Sequence, residues 1–278
     1  MVIQYLNGEE IKLQKPFDLS FIHKYGRVFR VFDKQSSGNL CFGVERAGKR
    51  YFIKFAGAET INKSEGTDTE DTISILKHSV QKYKDLKHPL LINIIDAEEI
   101  GNGFITVFNW FDGESCGYPQ PEMCAKFKLL PDKEKQRVFE GIVEFHVHAA
   151  ERGYVAIDFN DQSTLYNFSN GDFKICDIDF YVKQCYMNGT GQAIGDPAIM
   201  SPEEIRIAGL VDEISNVYTM GATAFVFFAE EQQSNKKWTL SGDLYEVAKK
   251  AVSKPRNQRQ QSIRAFAEEW NIAKMSLS

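Results

Sequence analysis

The spacing of apolar residues changes partway along this chain of 278 residues. Up to Asp112, short segments alternate apolar and polar side chains between turn residues, a pattern typical of β-strands. The exception is 72–86, where apolar residues recur at helical spacing. We therefore predict a β-rich first part with one helix and five strands, at 27–32, 40–45, 50–56, 90–100 and 103–111.

Beyond Asp112 the apolar spacing becomes mainly helical. The segment 131–153 has a helical pattern with Gly153 as its predicted C-terminal cap, and the chain from Pro202 onward is predicted to be helical. Two short strands, 163–168 and 172–178, are predicted between them. The sequence thus predicts an α+β chain with two lobes, a β-rich one over 1–112 and a mainly helical one over 113–278.

Composition narrows the choice of partners. A hydrophobic content of 43% allows a sizeable core, and a net charge of −5 gives no overall attraction to nucleic acid. No apolar run reaches the length of a membrane span, and the N-terminus lacks a signal-peptide pattern. We expect a cytoplasmic protein that binds neither nucleic acid nor membrane, with its five cysteines reduced.

Charged residues interrupt two otherwise apolar segments. Lys54 lies within "YFIKF", and Asp177 and Asp179 lie within "KICDIDFY". A carboxylate buried without a partner costs several kcal/mol, so such residues usually hold a metal, meet a cation, or stand where a strand enters a site. Lys54 by itself fits either a solvent-facing position or an anion site.

Several segments, in order, resemble those of the protein kinase-like fold. The resemblance covers nearly the whole chain, and the order of the segments is more specific than any one of them. It implies a two-lobed fold with a β-rich N-lobe, an α-helical C-lobe and a nucleotide cleft between them. The segments that carry it are "YFIKF", "LKHPLLINIID", "FNWFDGES", "GYVAIDFNDQSTLYN", "KICDIDF", "GDPAIMSPEE" and "NVYTMGATAF".

The resemblance also implies roles for individual residues. Asp158 matches the aspartate that orients the substrate hydroxyl and accepts its proton, and Lys54 matches the lysine that neutralises the nucleotide phosphates. Asp177 matches the magnesium ligand, although a second register would place Asp179 in that role. Ser163 falls at the second metal-binding position.

ATP and Mg²⁺ are the cofactors that the resemblance implies, with a serine or threonine hydroxyl of a protein as the phosphate acceptor. The loop expected to cover the phosphates comprises Ser36, Ser37, Gly38, Asn39 and Leu40. The residues expected around the adenine are Phe108, Asn109, Trp110 and Phe111. The resemblance further implies a structural ion pair between Glu203 and Arg259.

The sequence also departs from the kinase pattern. The phosphate loop keeps one glycine, Gly38, and the His-Arg-Asp motif is replaced by Ala156-Ile157-Asp158. The helix glutamate that should pair with Lys54 falls near Ser79. These losses keep open a pseudokinase that works as a scaffold, and the acidic Asp179 keeps open a small-molecule kinase.

Three further residues are considered for metal binding or phosphorylation. Asp161 is an alternative to Ser163 at the second metal position, and Thr190 is a candidate phosphorylation site whose usual arginine receptor is missing. His146, in "FHVHAA", is interpreted as a packing or surface residue, because its spacing from the second histidine does not suit a metal pair.

Overall fold

The computed structural model describes the chain over 1–35, 37–61, 68–115, 121–189, 195–229 and 237–276, apart from the side chains of Pro121 and Asp161. It is a mixed α/β protein whose described residues form six α-helices. The chain divides into two compact units, Met1–Lys87 with Ile92–Asp112 and His88–Leu91 with Gly113–Ser278. His88–Leu91 belongs to the second unit because Ile175 N–H donates to Leu90 O over 2.7 Å.

The first unit is built on an antiparallel sheet. Its five strands have the order β3-β4-β5-β7-β6, which places β5 at the centre. The five predicted strands and the helix are present, and an N-terminal hairpin that was not predicted precedes them. The elements are β1 (Val2–Leu6), β2 (Glu9–Leu13), β3 (Arg27–Phe32), β4 (Leu40–Arg46), β5 (Lys49–Ala56), α1 (Thr69–Asp85), β6 (Ile94–Ile100) and β7 (Gly103–Asn109).

The two faces of this sheet are covered differently. Ile53 and Phe55 of β5 are fully buried in a core to which the hairpin contributes Ile11 and Leu13. Leu76 of α1 packs on the opposite face, against β5 and β7. Because side chains alternate along a strand, Lys54 lies on the α1 face.

The second unit is mainly helical. α4 is almost entirely buried and packs on α3, α5 and α6. Asp212, Ser241 and Ser262 cap α4, α5 and α6 with side-chain oxygens. Gly153, with φ of +73°, follows the C-terminal end of α3 as predicted. The helices are α2 (Pro121–Lys128), α3 (Asp132–Glu151), α4 (Glu213–Phe228), α5 (Gly242–Ala251) and α6 (Ile263–Met275).

Seven short strands lie before and between the helices among the described residues of this unit. Two predictions about this region were wrong. The predicted strand 172–178 ends at Ile175, so Asp177 and Asp179 lie beyond it. The chain after Pro202 is not wholly helical, because β14 pairs with β13. The strands are β8 (Glu114–Ser115), β9 (Tyr154–Val155), β10 (Thr164–Tyr166), β11 (Phe173–Ile175), β12 (Val182–Lys183), β13 (Tyr186–Asn188) and β14 (Gly209–Val211).

Within the described ranges, no helix has both the length and the apolar character needed to cross a membrane. The cysteines in these ranges, Cys41, Cys124, Cys176 and Cys185, are free thiols, and Cys116 lies outside them.

Candidate functional site

Asp158 and Asp177 both have a left-handed backbone, with φ of +64° and +58°. This conformation is uncommon outside glycine, although aspartate tolerates it better than most residues, and strained residues of this kind concentrate at functional sites. Asp158 is half-buried after β9, and Asp177 is exposed two residues after the end of β11. The backbone thus turns sharply at both candidate acids.

The exposure of the two aspartates separates their roles. Asp177 is exposed, whereas Asp179 is only 2% exposed. An exposed carboxylate can bind a metal ion that keeps most of its water ligands, as Mg²⁺ does. This difference favours Asp177 as the ligand, and it explains the two acids of "KICDIDFY" separately: one stands beyond a strand end and the other is part of the interior.

Ser163 lies beside the Asp177 segment but is deeply buried. Cys176 N–H donates to Ser163 O over 2.8 Å, which places Ser163 next to the residue that precedes Asp177. The Ser163 hydroxyl is itself an acceptor for Asn160 N–H at 3.3 Å, and the residue is 3% exposed. Its side chain therefore supports the turn between the two segments, which leaves little of it accessible to a metal.

Tyr181 lies where the charges of both acids affect its pKa. Burial raises its pKa well above the usual value, and the negative charges of Asp158 and Asp177 raise it further. The phenol lies 2.8 Å from Nε2 of His146 on α3. His146 is thus a buried packing residue, one of the two roles expected for it, whereas Tyr181 has no sequence signal of its own. The buried bond between them depends on residues 35 positions apart, and no local pattern indicates it.

Asn216 of α4 anchors the segment that leads to Asp158. Its Oδ1 accepts Ala156 N–H and its Nδ2 donates to Ala156 O, both over 2.7 Å. Asn216 is not among the predicted site residues, although a polar side chain in an otherwise apolar helix is a signal that can identify such a residue.

Gly195 approaches Asp158 from a third segment. A Cβ added to Gly195 would lie 3.0 Å from Asp158 Oδ1, and the glycine has φ of +121°. Any other residue at this position would be strained and would crowd the carboxylate.

The ion pair expected between Glu203 and Arg259 is present. Arg259 donates to both carboxylate oxygens of Glu203, over 2.7 and 3.0 Å, and the side chains are 0% and 5% exposed. Arg256 also donates to Glu203 over 2.7 Å and binds both oxygens of Asp212, the cap of α4. Burial alone would raise the pKa of Glu203, but the hydrogen bonds and charge of Arg259 outweigh it and lower the pKa.

In the first unit, Lys54 lies on the central strand β5, directly across from Cys41 of β4 and Thr106 of β7. Ser79, at the position expected for the helix glutamate, is fully buried in α1, and its hydroxyl donates to Leu76 O over 2.8 Å. A serine there satisfies its own helix and brings no negative charge to the α1 face.

The loop expected to cover the phosphates is hydrogen-bonded to itself. Gly38, with φ of +80°, donates its N–H to Gln35 O over 3.1 Å. Asn39 N–H donates to the Ser37 hydroxyl over 3.4 Å, and the Leu40 side chain belongs to the core on the other face of the sheet. Ser36 lies outside the described residues. At least two of the loop amides are thus engaged within the loop.

The four residues expected around the adenine differ in exposure. Phe108 is 2% exposed and packs edge-on against Tyr83 of α1, with ring centroids 4.9 Å apart. Trp110 is half-buried and packs on Phe29 of β3, 4.9 Å away. Asn109 is exposed and Phe111 is half-buried. Phe108 is therefore a core residue, and the other three present surface.

Among the described residues, no group of three or more His, Cys, Asp and Glu side chains is arranged to hold a metal ion. Mg²⁺ bound with a nucleotide needs fewer protein ligands, because phosphate oxygens and water complete its shell. The exposed Asp177 carboxylate suits that arrangement, with Ser163 a poor second ligand. Asp161 lies in a 3₁₀ helix, but its side chain is not among the parts of the chain that the structure describes. Thr190 lies wholly outside the described residues.

A buried carboxyl group near the ion pair gives a stability prediction. Glu204 accepts hydrogen bonds from Ser201 N–H and Ser201 Oγ, over 2.7 and 2.6 Å, and burial raises its pKa to about 7. Between pH 4.5 and 7 the folded state keeps a proton that the unfolded state releases, so the free energy of unfolding falls by about 3 kcal/mol as the pH rises through this window. Glu204→Gln should remove this dependence while keeping an acceptor for Ser201.

Urea unfolding at pH 5 and pH 8 measures the effect. The parent should lose about 3 kcal/mol more than Glu204→Gln between the two pH values. Glu268→Gln, a change at an exposed carboxyl group of α6, should behave as the parent. An equal loss in parent and Glu204→Gln would contradict the prediction.

Comparison with known proteins leaves the family open. No protein-family profile matches the chain, and no curated protein matches its sequence significantly.

Proposed function

We propose that the chain is a divergent member of the protein kinase-like fold that transfers phosphate from ATP to serine or threonine hydroxyls of a protein. The observation that carries the proposal is that the segments of Asp158 and Asp177 meet at one buried histidine: the His146 ring lies 4.4 Å from that of Phe159, and its Nε2 lies 2.8 Å from the Tyr181 hydroxyl. Both acids also have left-handed backbones, a conformation that aspartate tolerates better than most non-glycine residues.

The proposed chemistry assigns one task to each group. The substrate hydroxyl oxygen attacks the γ-phosphorus, the bond to the β–γ bridging oxygen breaks, and Asp158 accepts the hydroxyl proton. Lys54 would neutralise phosphate charge, and Asp177 would hold the magnesium. When bound, magnesium would supply positive charge that neutralises the phosphate oxygens.

The buried ion pair supports the protein-substrate form of this proposal. Glu203 and Arg259 form a desolvated bidentate pair at the position where the resemblance to protein kinases implies one. Among the kinases that the chain resembles, this pair is typical of those that phosphorylate proteins, and small-molecule phosphotransferases usually lack it. Phosphate transfer to metabolites but to no protein would refute this form.

A second candidate, a pseudokinase that acts as a scaffold, is favoured by the loop and the helix of the first unit. The amides of Gly38 and Asn39 are already engaged in hydrogen bonds, so they offer little to a phosphate. Ser79 occupies the α1 position where the resemblance expects a glutamate, so no carboxylate stands at that position. Both observations predict weak nucleotide binding.

Thermal denaturation with ATP, with and without Mg²⁺, distinguishes the two candidates. A ligand at about 100 times its dissociation constant stabilises the folded state by about 2.7 kcal/mol, which shifts the melting temperature by several degrees. We expect a magnesium-dependent rise for the parent and its loss in Asp177→Asn.

Glu268→Gln is the matched control, because it also neutralises one exposed carboxylate and should keep the full shift. A parent that shows no shift at millimolar ATP would favour the scaffold. A shift that survives in Asp177→Asn would remove Asp177 from the metal site.

A further inference from the structure

His146 contacts residues from both segments that carry the candidate acids. Its ring lies edge-on to Phe159, the residue after Asp158, with centroids 4.4 Å apart. Its Nε2 lies 2.8 Å from the hydroxyl of Tyr181, four residues after Asp177. His146 is 1% exposed and Tyr181 is fully buried. One imidazole on α3 thus lies against the Asp158 segment and the Asp177 segment.

The direction of the Tyr181 bond follows from the other ring nitrogen. Nδ1 of His146 lies 2.8 Å from Ile142 O, an atom that can only accept, so Nδ1 carries a proton. Burial lowers the pKa of His146 to about 4, so the ring is neutral near pH 7 and its Nε2 has a lone pair. Tyr181 therefore donates a hydrogen bond from its hydroxyl to Nε2 of His146.

Tyr181 is therefore held by hydrogen bonds at both its backbone and its hydroxyl. The backbone N–H of Tyr181 donates to Ile178 O over 3.1 Å, within the turn that follows Asp177. The hydroxyl is tied to α3. A buried donor or acceptor that loses its partner is costly, so the bond resists opening.

We propose that His146 and Tyr181 are positioning residues that hold the Asp158 and Asp177 segments in place relative to each other. Ala156, which stands where the resemblance has the histidine of His-Arg-Asp, has no side-chain donor or acceptor. The contacts of His146 with Phe159 and Tyr181 instead tie both segments, each with its left-handed aspartate, to α3. The consequence for magnesium rests on the proposed function, whereas the coupling of the two segments does not.

Amide hydrogen exchange on the full chain tests the coupling without any ligand. Tyr181→Phe keeps the ring and removes the hydroxyl, and His146→Phe keeps a ring against Phe159 and removes Nε2. Each variant should exchange roughly tenfold faster than the parent in both segments, 154–160 and 176–182, with α5 and α6 unchanged. The double variant should be no worse than the worse single variant, because the same bond is lost.

Tyr166→Phe is the matched control. Tyr166 is also buried and donates a phenolic hydrogen bond, to Glu134 over 2.8 Å. Its removal should leave exchange in 154–160 and 176–182 as in the parent. Exchange that rises equally in α6, or in only one of the two segments, would overturn the proposal.

A second readout addresses magnesium. Side chains that orient a metal ligand typically contribute 10–100-fold to metal affinity, so the ratio of ATP dissociation constants without and with Mg²⁺ should fall at least about tenfold in Tyr181→Phe but not in Tyr166→Phe. An unchanged ratio in Tyr181→Phe would overturn positioning toward the metal. A parent with no magnesium-dependent binding would defeat the proposed function, and the exchange result would still decide the coupling.

Discussion

Replacing Arg259 by alanine should lower the free energy of unfolding by about 3–5 kcal/mol. The guanidinium is 0% exposed and pairs with a carboxylate that is 5% exposed, so its loss leaves part of a buried negative charge without compensation. Arg259 also donates to Ser253 O and Ile214 O, which hold the end of α5 and the start of α4. Urea unfolding measures the loss.

Two other arginine variants serve as comparisons for the stability loss of Arg259→Ala. Arg256→Ala should be milder, because the Arg256 side chain is 31% exposed and Glu203 would keep its bidentate partner. Arg206→Ala, a change at an exposed arginine, should alter stability by no more than about 0.5 kcal/mol. An Arg259→Ala loss as small as that of Arg206→Ala would show that the buried pair adds nothing to stability.

Asp158→Asn should lower kcat for phosphoryl transfer to a protein hydroxyl by about 10²–10⁴-fold, the range that general acid–base groups contribute. The amide keeps the shape of the side chain but cannot accept the hydroxyl proton. ATP binding should be retained, because Asp158 is assigned to the substrate hydroxyl. Transfer of labelled phosphate to a mixture of protein substrates, with ATP binding measured in parallel, checks both parts.

Asp71→Asn is the control for this experiment, since Asp71 is an exposed acid in the first turn of α1. It should change kcat by no more than about twofold. Full activity in Asp158→Asn would remove Asp158 from the chemistry. Loss of ATP binding along with activity would instead point to a disturbed fold, which the melting temperature would reveal.

The strands and helices were largely predictable because their signals are local. The period-2 segments became β3 to β7, and the helical segment near residues 72–86 became α1. The N-terminal hairpin was missed although Ile11 and Leu13 alternate along β2, because two short strands give few positions on which to judge a period.

The candidate site was less predictable. The resemblance matches Asp177 to the magnesium ligand with Asp179 as the alternative, and the structure adds that Asp177 is exposed while Asp179 is buried. Phe108, which the resemblance places near the adenine, is buried and packs edge-on against Tyr83 of α1. Whether a residue on a strand faces a core or a ligand depends on which element covers that face.

By itself, the sequence determined the order of elements, the change from β-rich to helical character after Asp112, and the acids and the lysine that stand out in apolar surroundings. Only the tertiary structure decided that His146 of α3 meets Tyr181, and that Asn216 of α4 binds the backbone of Ala156. Periodicity and capping are written into neighbouring residues. Hydrogen bonds between residues 35 and 60 positions apart depend on how helices and loops pack, and a linear pattern does not encode that packing.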